Sequence, residues 1–422
     1  MAHDSDHGHD ISSAIPVETY SRIIRDAIRP LAPSRLDLSD AEGCVLAEDV
    51  TAAVSLPSFD NSGMDGYAVM AADVASASAD SPVVLPVAGE IAAGDIGAYR
   101  LVPGTAVRIM TGAQLPADAD AVVPVEWTDG GDVRVSVSRP APPGNAVRYV
   151  GGDAVAGELL LSPGVRLRPM HIAVAASAGR SSLSVRPRPR VVVLSTGDEL
   201  SEPGTPLVPG RIWDSNSYMI GALAREAGAV AYRHSGLPDD VAGVLPAITE
   251  QLIRADLVIT TGGVSMGGTH DVVKAALSEL GTVQFRKIAM QPGMPQGFGL
   301  IGPDSVPIFT LPGNPVSAYV SFQLFVRPAL ALLQGSDDLR LPTVSATLGA
   351  PVRSPAGRRS YLRGMLSGGS AGACLDGGKV TPLSGQESHQ IASLGRANAL
   401  IIVPESQREI PEGETVDVIV LP

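Results

Sequence analysis

The chain reads as a multidomain α+β and α/β protein, with a parallel-sheet α/β substrate domain flanked by β-rich modules. Three observations carry that reading. Apolar runs such as Val191-Val192-Val193-Leu194, Leu257-Val258-Ile259-Thr260 and Pro307-Ile308-Phe309-Thr310 alternate with helical patterns, the signature of strands buried on both faces. On either side of that stretch, short apolar runs are separated by Gly, Pro and Asp turns. At 422 residues, with 46 Gly, 35 Pro and 4% aromatic residues, the chain is too long for one core and rich in tight turns.

In chain order, Val17 to Ala32 carries apolar residues at helical spacing (Ile23, Ile24, Ala27, Ile28, Leu31) and runs out at Pro30 and Pro33. From about Ala52 to Tyr149 the runs Val83 to Val87, Ala106 to Met110, Ala121 to Val125 and Val133 to Val137 predict a β-rich module. Met170 to Ala178 predicts a short helix. The Arg186-Pro187-Arg188-Pro189-Arg190 segment predicts a linker. Beyond it, helices are expected over Tyr218 to Ala227, Pro238 to Arg254 and Val272 to Leu280, between the three apolar strands. Val316 to Leu333 is long enough to span a bilayer, but Gln323, Arg327 and Pro328 interrupt it, so a buried helix is expected. Thr343 to Leu348, Tyr361 to Met365, Leu400 to Val403 and Val416 to Val420 predict a small barrel or sandwich.

A formal charge of −13 argues against nucleic acid as the main partner, because phosphate-backbone binding wants a basic surface. Two cysteines, Cys44 and Cys374, provide neither a disulfide framework nor a zinc site. The acidic, His-rich Met1 to Asp10 has no apolar core, so it is expected to be a tail rather than a secretory signal, and the protein cytoplasmic and soluble.

The chemistry lies in a series of loops built from small, turn-forming residues. They are Asp60-Asn61-Ser62-Gly63-Met64-Asp65, Ser195-Thr196-Gly197-Asp198-Glu199, Asp214-Ser215-Asn216-Ser217, Thr261-Gly262-Gly263-Val264-Ser265 and Leu311-Pro312-Gly313-Asn314-Pro315. Loops of this kind present N–H groups and hydroxyls to oxyanions, and adjacent carboxylates point to a hard divalent cation. Each loop alone has a structural alternative: Asp198 capping a turn, or Gly313-Asn314-Pro315 merely starting a helix. Asp198, Glu199, Asp214 and Asp271 all follow predicted strands or open helices, where ligand-bearing loops of an α/β sheet gather. Arg148, Arg358, Arg359, Lys274 and Lys287 stand near Gly-rich turns and offer oxyanion clamps. Neither a Walker A sequence nor a Gly-x-Gly-x-x-Gly fingerprint occurs.

Taken in order with Met64-Asp65-Gly66-Tyr67-Ala68, Met110-Thr111-Gly112-Ala113 and Gly152-Asp153, these motifs resemble the molybdopterin molybdenumtransferases, the MoeA and gephyrin E-domain family, over Val17 to Pro422. The resemblance implies insertion of molybdenum from molybdate into adenylylated molybdopterin, with Mg2+ as cofactor and release of AMP. It implies an elongated homodimer of four modules: residues 10–53 with 150–185 as a linking and dimerisation domain, 54–149 as a β-rich second domain, 186–334 as an α/β molybdopterin-binding domain, and 335–422 as a C-terminal barrel-like domain. Asp60 and Asp65 would then reach the cleft across the dimer. The adenylyltransferase of the preceding step and the acceptor molybdoenzymes are implied as partners, with neither nucleic acid nor membrane.

Residue by residue, the resemblance implies catalytic roles for Asp65, Asp153, Glu199, Asp214 and Asp271, the first four also holding the metal. Substrate binding falls to Asp60, Thr111, Thr196, Gly197, Asp198, Ser215, Asn216, Gly262, Gly263, Ser265, Lys274, Lys287, Pro312, Gly313 and Asn314. Molybdate falls to Pro292, Pro295, Arg358 and Ser388. Two departures stand out: one extra residue before Asp271, and Met294 in Pro292-Gly293-Met294-Pro295 where the family has a lysine, which predicts weaker molybdate affinity. Shorter adenylyltransferases share only the α/β module, so length argues against that activity. A non-enzymatic molybdopterin-binding scaffold, or a paralogue specialised for tungsten, is the alternative.

Overall fold

The computed structural model describes residues 14–237, 241–262, 277, 283–336, 341–368 and 378–422. The described chain forms two compact units: one from Arg35–Glu42 and Leu46–Ser184, the other from the described residues of Met1–Ser34, Gly43–Val45 and Val185–Pro422. Of the expected Val272 to Leu280 helix only Leu277, helical and buried, is described; Cys374 lies outside the described residues, while Cys44 is a buried thiol outside any disulfide.

The first unit holds a five-stranded sheet in the order Ala121–Pro124, Gly66–Val69, Ala106–Ile109, Val83–Ile91, Arg134–Val137. Each predicted run is present, and Val83–Ile91 continues past its expected end to pair parallel with Ala106–Ile109. Both faces are covered: Tyr67, Val69, Val123 and Val135 pack on one, Ala68, Ile91, Ile109 and Val122 on the other. Full burial of each large side chain contributes about 1.5–3 kcal/mol. The predicted short helix forms as Pro169–Ser177, with proline in its first turn where no N–H is needed.

The second unit contains a six-stranded sheet in the order Val230–Leu237, Arg190–Thr196, Leu257–Thr261, Val306–Leu311, Pro295–Ile301, Gln284–Lys287. The first four strands run parallel, and the last two are antiparallel. The expected all-parallel sheet is therefore a mixed one. Its antiparallel strands carry Gly297, Gly299 and polar Gln284, Arg286 and Lys287 rather than a continuous apolar run, which is why the pattern did not mark them.

Helices Asn216–Glu226 and Val241–Leu252 form where expected. The first helix stops at Ala27, because Ile28 already has extended backbone two residues before Pro30. Its Val17, Tyr20 and Ile24 join a core with Ile220, Phe309, Phe322, Phe325 and Leu330. Tyr20 meets Phe325 edge to face, centroids 4.9 Å apart. The long apolar stretch Pro315–Leu333 belongs to that core, with a π-helical turn at Phe322–Val326 between α-helical Pro315–Ser321 and Arg327–Leu333.

The C-terminal strands close into a barrel. Arg359–Ser367 pairs with Gly378–Pro382, which pairs with Thr343–Leu348, then Thr415–Val420, then Ala399–Val403, which returns to Arg359–Ser367. Of the two forms expected, the barrel is found. A short strand from the α/β domain, Met290–Gln291, pairs parallel with the edge of Arg359–Ser367 at Arg359 and Ser360.

Candidate active site

The three central parallel strands deliver their loops to one end of the sheet. After Thr196 the chain turns at Gly197 (φ 138°), and the Glu199 carboxylate folds back over that glycine: a Cβ there would lie 2.4 Å from Oε2. Glu199 and Asp198 are exposed and make no side-chain hydrogen bond or ion pair among the described residues. Gly262 (φ 93°) ends the next strand, where a Cβ would come within 2.9 Å of the Thr196 carbonyl oxygen. The close approach of the two strand-end backbones therefore requires glycine at 262. Its N–H donates to the Leu311 carbonyl over 3.2 Å, which ties the second loop to the third.

Asn216, in the first turn of its helix, donates Nδ2–H to the Gly313 carbonyl at 2.6 Å. Its Oδ1 is buried and accepts nothing among the described residues. Asn314 Nδ2 donates to Ser388 Oγ at 3.0 Å, and the Val316 N–H donates to the Ser388 carbonyl. The segment bearing Ser388 is thus fixed to the start of the Pro315 helix. Pro312 is buried, whereas Gly313, Asn314 and Ser215 are exposed. Pro292 is buried and Pro295 half-buried, at the turn entering the Pro295–Ile301 strand opposite Lys287. Arg358 is half-buried, and its Nε is a buried donor without a partner among the described residues.

Asp214 differs from its neighbours. It is 2% exposed, and its carboxylate already accepts three hydrogen bonds: Oδ1 from the Ser217 N–H at 3.0 Å, Oδ2 from the hydroxyls of Ser195 at 2.6 Å and Ser217 at 2.5 Å. This is a helix N-terminal cap with hydroxyl braces. Ser217 Oγ also accepts from Arg233 Nε at 2.7 Å. Arg233 stacks on Tyr218 at 3.7 Å and clasps Glu202.

In the other unit, Asp65 Oδ1 accepts from both the amide and the hydroxyl of Thr111, each at 2.7 Å. Those two bonds, the amide foremost, hold the exposed carboxyl below its ordinary range. Asp60 Oδ1 accepts from the Val150 N–H at 2.7 Å, and the Asp60 carbonyl from the Leu115 N–H. Gly112 and Ala113 pair with Ser62 between them, so the 60–65 and 111–115 loops form one stitched surface. A cavity of about 490 Å3 opens beside Asp60, walled by Phe59, Tyr99, Gln114, Leu115 and Val150. Asp153 is exposed, held only through its N–H to the Leu56 carbonyl. Gly263, Ser265, Asp271 and Lys274 lie outside the described residues.

Among the described residues, no three His, Cys, Asp or Glu side chains gather into a metal-holding cluster. Mg2+ needs only one or two protein carboxylates when phosphate and water fill its remaining positions. Glu199, with Asp198 beside it, suits that role through its unengaged oxygens. Asp65 keeps Oδ2 clear of Thr111, and Asp153 is unencumbered. The Asp214 oxygens are engaged in a buried cap, so the contacts it makes in this structure are bracing ones.

Models of known families match residues 15–179 as "MoeA N-terminal region (domain I and II)", 192–332 as "Probable molybdopterin binding domain" and 345–421 as "MoeA C-terminal region (domain IV)". A Mycobacterium tuberculosis protein named molybdopterin molybdenumtransferase 2 is 43% identical over 408 residues, covering 95% of this chain and 98% of the relative. The chain belongs to the MoeA family. The Haemophilus influenzae molybdopterin molybdenumtransferase is 34% identical, with 95% and 97% covered. The crystal structure titled molybdopterin biosynthesis moeA protein from Pyrococcus horikoshii matches with a TM-score of 0.78 and 31% identity, over 96% of this chain and 99% of that one.

For this MoeA-family chain, the sequence marked the loops but missed their supports. Ser195 and Ser217 were read as loop members but not as braces of Asp214, and Arg233 behind them and buried Arg363 behind the Ser388 loop drew no attention. Arg363 carried one usable signal: it shares strand parity with Tyr361, on the face opposite the barrel-filling Leu362 and Leu366.

Proposed function

We propose that this chain inserts molybdenum from molybdate into adenylylated molybdopterin and releases AMP, the last step of molybdenum cofactor synthesis. The observation that carries the reading is a set of family-motif side chains left with unengaged polar atoms: the Glu199 carboxylate, Asn216 Oδ1 and Arg358 Nε. Folding alone gives no reason to leave Asn216 Oδ1 and Arg358 Nε unpaired, since an unmet buried donor or acceptor costs about 1–3 kcal/mol, while the exposed Glu199 carboxylate stands open to a cation. An oxyanion satisfies Arg358 Nε–H, and a substrate N–H or hydroxyl satisfies Asn216 Oδ1.

Cleavage of an adenylate asks for positioning and charge neutralisation rather than a strong protein nucleophile. Gly262 and Gly313 let the substrate approach backbone. Thr111 keeps Asp65 ionised, and the Ser388 hydroxyl, oriented by Asn314, complements Arg358 at molybdate. Glu199 and Asp198 are the groups suited to hold Mg2+, whose bound charge would offset that of the phosphate. The cytoplasm, a homodimer and the four-module division complete the reading. Met294 leaves molybdate one cation short, so Met294→Lys is expected to lower the half-saturating molybdate concentration; an unchanged curve refutes that part.

The test is AMP release from adenylylated molybdopterin, with Mg2+ and molybdate added or withheld. Release that requires both, and is lost in Glu199→Gln, supports the transferase. Tight molybdopterin binding without AMP release overturns it in favour of a binding scaffold.

A further inference from the structure

Arg363 is fully buried, at 0% exposure, on a strand of the C-terminal barrel. Its guanidinium Nη2 donates to the carbonyls of Gly385 and Glu387, the latter at 3.2 Å. Its peptide is engaged as well. The Arg363 N–H donates to Gln386 Oε1 at 3.0 Å, while Gln386 Nε2 donates to the carbonyls of Arg363 at 2.8 Å and Leu383 at 2.7 Å. The Leu383 N–H closes the set on the Arg363 carbonyl. One residue therefore grips the 383–387 loop through both side chain and main chain. The next residue is Ser388, whose hydroxyl and carbonyl meet Asn314 and Val316.

A fully buried guanidinium is expensive to keep, and this one carries no salt bridge within 4.0 Å among the described residues. Its Nε–H and Nη1–H find no acceptor there either. A residue retained only to fill space between the barrel and the 383–387 loop would be better as Leu or Met, which fill similar volume without that desolvation. What the arginine adds is one planar, fixed nitrogen, Nη2, reaching two carbonyls of one loop at once.

We propose that Arg363 is a positioning residue for Ser388, setting where its hydroxyl stands relative to Asn314 and hence to the oxyanion. The inference rests on the reading of Ser388 as a molybdate contact. Arg363 touches no substrate itself; it acts through the Gly385 and Glu387 carbonyls.

The test compares Arg363→Lys, Arg363→Met and Gln386→Leu in the full-length protein. Amide hydrogen exchange is read at residues 384–389 and at Val316, and molybdate saturation is read by AMP release. The expected result is faster exchange confined to those amides, with half-saturating molybdate raised about tenfold and kcat changed little. Arg363→Lys should recover part of the effect, because its ammonium offers donors to the same carbonyls without the planar guanidinium that fixes them. Unchanged exchange, or faster exchange spread evenly over the barrel, overturns the proposal; if Arg363→Met does not fold, Gln386→Leu decides on the same criteria. If the parent protein ignores molybdate while the exchange result holds, the transferase reading has failed and the bracing of Ser388 stands.

Discussion

The amide of Asn314 donates to the hydroxyl of Ser388 across 3.0 Å, joining residues that lie 74 positions apart. One belongs to the loop that follows a central strand of the α/β sheet, the other to the C-terminal region beside the barrel. Removing the donor in Asn314→Ala should cost about 1 kcal/mol of stability. It should also raise half-saturating molybdate. In a Ser388→Ala background the same change should add nothing, since the contact is already gone. Additive effects in that cycle would show that the two residues act separately.

Asp214 and Glu199 should separate stability from activity. Asp214→Ala strips a helix cap and leaves the Ser195 and Ser217 hydroxyls without their acceptor, a loss of about 2–3 kcal/mol. Glu199→Gln alters an exposed, unpartnered side chain, so denaturant unfolding should move by no more than about 0.5 kcal/mol while AMP release disappears. Equal destabilisation by the two changes would refute the assignment of Asp214 to bracing and Glu199 to chemistry.

Thr111 holds the Asp65 carboxyl below its usual pKa through two hydrogen bonds. Thr111→Val deletes the hydroxyl and spares the amide, so Asp65 should titrate nearer the ordinary aspartate value of about 3.9. The sign follows from linkage. A depressed folded-state pKa contributes stability that is present above the unfolded value and lost as pH falls through the folded one. The variant should therefore give up that contribution at a higher pH on acidification. Carboxyl chemical shifts of Asp65 followed through the acid range would measure the change, and an unmoved titration would refute it.

The Tyr20 hydroxyl is buried without a partner among the described residues, and burial pushes its pKa well above the ordinary tyrosine value. Tyr20→Phe keeps the edge-to-face contact with Phe325 and removes a desolvated polar atom. Stability should hold or rise, by up to about 1 kcal/mol. A clear fall in the unfolding midpoint would mean that the hydroxyl has an acceptor.

What could be read in advance followed from the size of the local signal. The strands around Val193, Ile259 and Phe309 are fully apolar and bounded by Gly or Pro, and each stands where the pattern placed it. The strand Val230–Leu237 carries Arg233 and His234, and lies at one side of its sheet, so burial left no periodic mark. A π-helical turn at Phe322–Val326 has no sequence emblem, because it shifts hydrogen bonds without changing composition. At the site, loop chemistry was visible in the residue types. The difference between Glu199 and Asp214 was not, because it depends on which carboxylate the fold buries and surrounds with hydroxyls.

The Met290–Gln291 strand, paired with the barrel strand edge at Arg359 and Ser360, makes the C-terminal module an annex sharing a wall with the α/β domain. Tyr361, Leu400 and Ile419 of the barrel also sit in the same core as the first helix and Phe325. The annex is therefore expected to have no melting point of its own. Calorimetry should show it leaving with the α/β domain in a single endotherm, and a chain truncated before Thr343 would expose that wall and invite aggregation.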